Sequence, residues 1–406
     1  MSHAEARQAM REVRRLTTRI LSSPASFRAR LRERRLAFGI PMNVGYRLGA
    51  PYKSVKTLLQ LGPPARRRSG RPLWKQLGDL LTLSVRYRHS PRMYYVWELY
   101  RDGRMRDAEL YVDSLRNAEI QFALLPRRRA NVDKADFHEI CEKRGLRTVP
   151  VLARCSQRWQ APRVPRPDSP AWEGDLYEKP THSHRGQGIR RWTWQGDGCW
   201  TCGQDRAGSR DELLAVITAA AERSVHMIQP RRLNHESLTW VPDAPISTIR
   251  VVTLRPVGGG SVAVLPPWMR LPTQGASVDN LHQGGLLAPV DLETGRLGRV
   301  FTWRGVGLDD GEPRHPDSGR QVEGVVVPFW REALDLCREA QEVFSERASV
   351  GWDVGIDPEG PFLLELNGLW GTDVLQAPDR LPFGLTPFAP IMLEHLRART
   401  RYSSFR

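Results

Sequence analysis

The stretch "VGWDVGIDPEGPFLLELNG", Val350 to Gly368, holds three side chains able to do chemistry together: Asp353, Glu365 and Asn367. It reads as two strands joined by a polar turn. Side chains alternate faces along a strand, so Glu365 and Asn367, two apart, point the same way. With a five-residue turn from Asp357 to Pro361, Val354 comes opposite Leu364 and Asp353 opposite Glu365, and three oxygen-bearing groups converge. Two carboxylates held that close repel unless a cation lies between them. A hard divalent ion such as Mg²⁺, or Mn²⁺ in its place, takes oxygen ligands and keeps waters and phosphates as its other partners. The competing reading is an edge hairpin whose polar face meets water. Leu363, Leu366, Trp352 and Trp370 close by favour a buried setting.

A second stretch, "LYEKPTHSHRGQGIRRW" from Leu176 to Trp192, places a lysine, Lys179, at the end of an apolar strand and follows it with a loop containing Gly186 and Gly188. An ammonium supplies a point charge, and glycines let backbone N–H groups approach oxygen atoms closely, so the pattern suits phosphate capture. It is not the P-loop arrangement, in which Gly-Lys-Ser/Thr opens a helix. Read by itself, the same pattern is also that of an ordinary hairpin loop.

These residues need elements to hold them. From Ser2 to about Leu36 the pattern is helical, with Val13, Leu16 and Ile20 on one face. Gly39 to Pro72 carries turn and linker signals, "APYKS" and "LGPPARRRSGRP", and Leu73 to Leu124 spaces aromatics and leucines three and four apart, as a mostly helical segment does. After about Val132 the texture changes. A helix over "DKADFHEICEKRG" ends at Gly145, a glycine suited to a left-handed C-cap. Short strands and amphipathic helices then alternate: "DLYEKP", "SRDELLAVITAAAERS" with Ser209 and Glu212 as a capping box, "HMIQP", "STIRVVTLRP", "SVAVLPPWMRL", a helix from about Trp330 to Arg347, and the hairpin. The fold class is α+β, with antiparallel sheet in the last third.

The chain has 406 residues, 40% of them hydrophobic and 26% charged, which suits two or three packed subdomains. No run reaches the roughly 18 apolar residues of a spanning helix. The N-terminus lacks an apolar leader with a cleavage site, so a cytoplasmic location is expected. Five scattered cysteines argue against a disulfide framework, and "CWTC", Cys199 to Cys202, lacks the second ligand pair that zinc requires. The formal charge of +16 arises from 61 Lys and Arg against 45 Asp and Glu, with arginine runs at Arg28 to Arg35, Ala65 to Arg71 and Pro126 to Arg129. That field attracts an anionic polymer, an acidic membrane surface or nucleic acid without choosing among them, and a simply solvated basic surface is equally compatible.

In order, "VDKADFHEICEKRGL", "EKPTHSHRGQGI", "MIQPRRLNH", "STIRVVTL", "VDNLHQGG" and "WDVGIDPEGPFLLELNG" resemble the ATP-grasp superfamily from about Val132 to Leu396. More narrowly they resemble its sugar-transfer-associated branch, and "DNLHQGG" and "LLELN" are also similar to ribosomal-protein glutamate ligases and glutathione synthetases. The resemblance implies an ATP-grasp fold: two α+β subdomains, 130–228 and 229–398, clamping nucleotide after a helical, arginine-rich region, 1–129. It further implies that Lys134 and Lys179 hold the phosphates of ATP and that Gly186 and Gly188 lie in the loop closing over them. Gln229 to Leu233, Arg231 among them, form the hinge at the adenine, although "QPRRL" departs from the commoner acidic hinge. Arg250 and Arg270 match arginines facing the terminal phosphate or the acyl substrate; guanidinium stays charged and grips oxyanions with two donors. Asn280, Gly284 and Gly285 match a loop shielding the reacting centre, and Asp353, Glu365 and Asn367 match the ligands of Mg²⁺.

The activity so implied is an ATP-dependent carboxylate–amine ligase that forms an acyl phosphate and releases ADP and phosphate, linked by the branch name to cell-surface polysaccharide or peptide modification. On this reading Asp353→Ala and Glu365→Ala abolish ADP formation and leave the fold intact. Two other classes stay open: a phosphotransferase on the same fold, which passes the γ-phosphate to a hydroxyl, and a basic nucleic-acid-binding protein. Docking of the N-terminal region on a membrane or anionic glycan is compatible with the ligase.

Overall fold

The computed structural model describes residues 1–22, 40–101, 103–125, 132–182, 187–222, 224–276, 285–302, 309–377 and 381–403. Among them the strands form two six-stranded sheets whose strand pairs are all antiparallel. The first contains β1 (Ala153–Cys155), β2 (Leu176–Pro180), β3 (Arg190–Gly196), β4 (Cys199–Cys202), β5 (Asp205–Ala207) and β6 (His226–Pro230), in the order β1-β6-β2-β3-β4-β5. The second contains β7 (Thr248–Leu254), β8 (Ala263–Leu271), β9 (Leu286–Pro289), β10 (Phe301–Thr302), β11 (Ser349–Asp357) and β12 (Gly360–Asn367), in the order β10-β9-β8-β7-β11-β12. Antiparallel sheet is therefore not confined to the last third of the chain. The helices are α1 (His3–Ser22), α2 (Ile40–Ser69), α3 (Leu73–Leu81), α4 (Met93–Val96), α5 (Ser114–Leu124), α6 (Lys134–Lys143), α7 (Arg210–Ala220), α8 (Trp330–Val343) and α9 (Phe388–Ser403).

Alternation on β11 sorts the second sheet into two faces. Val350, Trp352, Val354 and Ile356 are fully buried and pack with Phe137 and Cys141 of α6 and with Trp330, Ala333, Cys337 and Ala340 of α8. The intervening residues, Gly351, Asp353 and Gly355, face the other way. One end of that opposite face is covered by α1, α5, α9 and the segment around Phe383, which bury Met10, Val13, Ile120, Trp268, Trp370, Phe388 and Met392 together. The N-terminal helix thus shares a core with the C-terminal one. Buried hydrogen bonds reinforce the joint: Asn117 Nδ2 donates to Trp370 O at 2.8 Å and Gln376 Nε2 to Val112 O at 2.7 Å.

Several elements depart from the sequence pattern. Residues 40–69, expected as linker, form a helix that continues through Pro51, Pro63 and Pro64. Ala50, Ser54, Leu58 and Ala65 lie on one face of it and are buried, and that burial outweighs proline's local cost of roughly 3 kcal/mol. The stretch from Met93 to Leu110, expected as helix, is broken because Glu98 (φ 49°) and Gly103 (φ 76°) are left-handed, although Tyr94, Tyr95, Trp97 and Tyr100 are buried as the spacing suggested. The helix expected over Trp330 to Arg347 stops at Val343. The capping box at Ser209 forms with a shift: Ser209 Oγ accepts from Glu212 N at 3.2 Å, while Glu212 Oε2 accepts from the N–H of Gly208. "CWTC" is strand β4, so its two free thiols, three residues apart, project from opposite faces.

Candidate functional site

The hairpin β11–β12 brings its polar groups together by a route the sequence did not show. The turn is two residues, Pro358 and Glu359, with Asp357 opposite Gly360. That register alone would carry Glu365 past Asp353. A bulge restores it: Val354 pairs with Leu363, Asp353 with Glu365, and Leu364 is the extra residue. Arg147 clamps the turn, donating to both oxygens of Asp357 at 2.8 and 2.9 Å and to the carbonyls of Gly360 and Pro361.

Cross-strand pairing then assembles a row. Arg250 on β7 pairs with Asp353, and Arg270 on β8 lies one strand further out, so β8, β7, β11 and β12 contribute Arg270, Arg250, Asp353 and Glu365 in succession. Arg250 Nε donates to Asp353 Oδ1 at 2.6 Å and its Nη2 to Oδ2 at 3.2 Å; Arg270 Nη2 donates to Oδ1 at 2.8 Å; Asn367 Nδ2 lies 3.4 Å from Oδ2. Burial pushes the Asp353 carboxyl upward, and the two guanidiniums overcome that and hold it below the ordinary value. Gly351, two residues before Asp353, keeps the row open: a Cβ there would lie 2.6 Å from Trp370 Cβ and 3.4 Å from Arg250 Cδ.

Two lysines approach from other elements. Asp133 caps α6, accepting from the N–H groups of Ala135 and Asp136, and so sets Lys134 as the first helical residue, 3.3 Å from Glu365 Oε1. Lys179, the last residue but one of β2, lies on the side away from the first sheet's core. Its neighbour Glu178 points into that core and takes hydrogen bonds from Trp192 Nε1 at 2.9 Å and His226 Nδ1 at 2.7 Å. Lys179 Nζ donates to Gln229 Oε1 at 3.2 Å, and Gln229 is in turn fixed by donating to Val149 O at 2.9 Å. Desolvation and the charge of Lys134 pull the Lys179 pKa down to about 8, with Glu365 opposing. Four cations and two carboxylates therefore face one another, an excess of positive charge that suits a polyanion.

Gln229 thus acts here as the anchor of a lysine. Arg231, within the segment expected as the hinge, is engaged in an ion-pair cluster with Asp175 (3.2 Å) and Asp243 (2.7 Å), to which Arg191 also binds. The hydrogen bond from Arg191, with Arg231 behind it, depresses the Asp243 carboxyl to about 2. Leu233 is 61% exposed, an apolar side chain left open at the hinge. Gly188 adopts φ 75° and a Cβ there would meet Pro180 Cγ at 2.9 Å, so glycine is needed beside the strand end. Gly186, Asn280 and Gly284 lie outside the described residues; Gly285 is buried immediately before β9.

Sequence reasoning missed His138, one turn after Lys134 and buried beneath the site. Thr148 Oγ1 donates to Leu363 O at 2.7 Å, so His138 Nδ1, 2.6 Å away, donates to that hydroxyl. Burial and the charges of Lys179 and Lys134 lower the His138 pKa to about 3, which keeps the ring neutral at physiological pH. The spacing from Lys134 was the available signal.

The donor set can be tested against a divalent cation. Two carboxylates and an amide are the hard oxygen donors that Mg²⁺ takes, and three protein ligands leave positions for phosphate and water. Glu365 and Asn367 are half-buried and fit that role. Asp353 fits with a condition, because both its oxygens already accept guanidinium N–H groups, and a cation has to share or displace them. The same pairing corrects the expectation that Asp353→Ala leaves the fold intact: Asp353 is buried and is the counter-ion of two arginines.

No curated protein sequence matches the chain. Among solved structures, the D-alanine–D-alanine ligase of Bacillus anthracis is 12% identical with a TM-score of 0.36, over 70% of this chain and 71% of that one. The VanG D-Ala:D-Ser ligase of Enterococcus faecalis is 9% identical with a TM-score of 0.34, over 69% and 63%. An ADP complex of N5-carboxyaminoimidazole ribonucleotide synthetase is 11% identical with a TM-score of 0.31, over 60% and 50%. Likeness that distant carries no argument about chemistry. The sequence match is decisive: residues 116–381, well over half of the chain, fit the family "Sugar-transfer associated ATP-grasp". The protein is a member of the sugar-transfer-associated ATP-grasp family.

Proposed function

We propose that the protein is an ATP-dependent ligase that activates a carboxylate as an acyl phosphate and joins it to an amine, releasing ADP and phosphate. The observation that carries the reading is the row Arg270–Arg250–Asp353–Glu365 with Lys134 against it and Lys179 close to Lys134: basic groups from several elements with hard oxygen donors beside them. In this reading residues 130–228 and 229–398 are the two clamping halves, and 1–129 is a helical addition packed on the second.

Lys134 and Lys179 hold the phosphate tail of ATP, and Gln229 keeps the Lys179 ammonium aimed at it. Arg250 and Arg270 turn from Asp353 toward the terminal phosphate. There they offset charge as the substrate carboxylate oxygen bonds to the γ-phosphorus and the bond to the ADP oxygen breaks. The amine then attacks the acyl carbon, phosphate leaves, and the amine's proton passes to solvent or base. A divalent cation bound at Glu365, Asn367 and Asp353 would supply charge neutralisation across the phosphate oxygens. Leu233 offers an apolar contact for the base. Gly188, beside the end of β2, leaves room for backbone N–H groups to approach the phosphate oxygens. The link to cell-surface polysaccharide or peptide modification stays with the family name.

The test is ADP release from ATP and Mg²⁺ against a panel of amino acids and amino sugars. ADP and free phosphate should appear together, dependent on a carboxylate and an amine, and Glu365→Ala should remove both. Phosphate retained on a product hydroxyl would overturn the ligase reading in favour of phosphoryl transfer. Failure of the wild type to bind or turn over ATP would overturn it altogether.

A further inference from the structure

Helix α2 presents a row of apolar side chains to solvent. Tyr52, Val55 and Leu59 recur at i, i+3 and i+7, the spacing of one helix face, with Tyr52 and Leu59 70% and 73% exposed. The opposite face of the same helix is the one buried through Ala50, Ser54, Leu58 and Ala65. The π-turn 82–86 continues α3, and together they run antiparallel to α2. Gly62 packs against Leu73 and Gln76 near one end, and Ser54 Oγ lies 3.4 Å from Ser84 Oγ near the other. That partner adds Trp74, 71% exposed, and Val85, also exposed. Five exposed large apolar residues on one helical pair are a feature the nucleotide site does not use.

The charge around them has one sign. From residue 49 to residue 97 the chain has ten Lys and Arg and a single acid, Asp79. Asp79 is already paired, accepting from Arg71 and from Tyr94 Oη at 2.7 Å. Lys56, Arg66, Arg67, Arg68, Lys75 and Arg86 are exposed among or beside the apolar residues. Aliphatic and aromatic side chains interleaved with long cations fit an interface that is apolar below and anionic above. Leucine, valine and tryptophan enter the acyl boundary while lysine and arginine stems reach the headgroups. A second copy of the chain fits poorly, because two such cationic faces repel. A nucleic-acid duplex would take the charges and leave Val55, Leu59 and Val85 without a partner. Among the described residues no helix is long and apolar enough to cross a membrane, so the face can only lie on one.

We propose that the α2–α3 face docks the protein on the surface of an anionic lipid bilayer. The inference does not rest on the ligase reading.

Full-length protein is sedimented with vesicles of phosphatidylcholine containing one quarter phosphatidylserine, and with vesicles of phosphatidylcholine alone. Binding is expected to the anionic vesicles only, weakening as NaCl rises. The double variant Leu59→Ser/Trp74→Ser should lower binding at least tenfold while its melting temperature and ATP turnover match the wild type, since both side chains are exposed. Lys56→Glu/Arg67→Glu should lower it as well. The proposal is overturned by equal binding to neutral vesicles, by no binding to anionic ones, or by anionic binding that the Ser variant leaves unchanged. It is equally overturned if RNA or heparin binds more tightly than vesicles and does so independently of Leu59 and Trp74, which marks a general polyanion site.

Discussion

Lys179→Met separates the two demands placed on that lysine, since it should make the empty protein more stable and unable to hold ATP. Folding moves the Lys179 pKa from 10.5 to about 8, through desolvation and then the charge of Lys134. At about 1.4 kcal/mol per unit, keeping the ammonium charged at pH 7 costs about 3 kcal/mol at most. The side chain retains some contact with solvent, so about half of that is a fairer figure. Methionine also gives up the bond to Gln229, roughly 1 kcal/mol, and the net expectation is a gain of about 0.5 kcal/mol. The sign follows from proton counts. Between pH 8 and 10.5 the unfolded chain binds more protons at this position than the folded one, so wild-type stability rises with pH across that window. The advantage of the variant should accordingly be full at pH 7 and gone above pH 10.5. Urea unfolding of both proteins at pH 7, 9 and 10.5 measures it, and other titrating groups cancel in the difference. With ATP present at about a hundred times its Kd, the wild type should gain about 2.7 kcal/mol and the variant nothing. A variant less stable than wild type by the same amount at every pH, or one still stabilised by ATP, refutes the assignment of Lys179 as a strained phosphate ligand.

Glu365→Ala should abolish ADP release with a melting temperature close to wild type, because Glu365 is half-buried and its partner Lys134 stays near solvent. Asp353→Ala should lower stability by about 3–5 kcal/mol, read by urea unfolding, because it leaves Arg250 and Arg270 together without their counter-ion. Gly188→Ala, which forces a Cβ at φ 75° against Pro180, should cost roughly 1–2 kcal/mol locally and appear as a raised KM for ATP with little change in melting temperature. Gln229→Leu should leave the fold intact and weaken ATP binding severalfold by releasing Lys179, measured by calorimetric titration.

Local rules made much of this legible. Period-two alternation identified β11 and β12 and put Glu365 and Asn367 on one side, and the helix expected over "DKADFHEICEKRG" with its stop at Gly145 matches α6 with Lys134 at its head. What escaped was set by tertiary contact. The bulge at Leu364 and the tight turn compensate each other, so a wrong turn length still gave the right partner for Asp353, and one sequence cannot separate the two solutions. Hinge position alone does not show the partners of Arg231, whose guanidinium pairs with Asp175 and Asp243. The prolines of α2 signalled a linker, but a buried face held by α3 overrode them.

The Asp353 contacts also explain how so basic a centre remains folded before any phosphate arrives. Arg250 and Arg270 sit on adjacent strands and both reach one carboxylate. Without it, two half-buried guanidiniums would face each other. In the proposed reaction Asp353 stands in for the charge that the nucleotide would supply. Phosphate oxygens that took over the arginines would release both oxygens of Asp353, which could then help to hold a divalent cation. In the proposed reaction the exchange leaves both arginines with an anionic partner in either state. On that proposal the carboxylates would have different duties, Glu365 in the loaded site and Asp353 in both, so removing Asp353 should damage the fold and removing Glu365 should damage turnover alone.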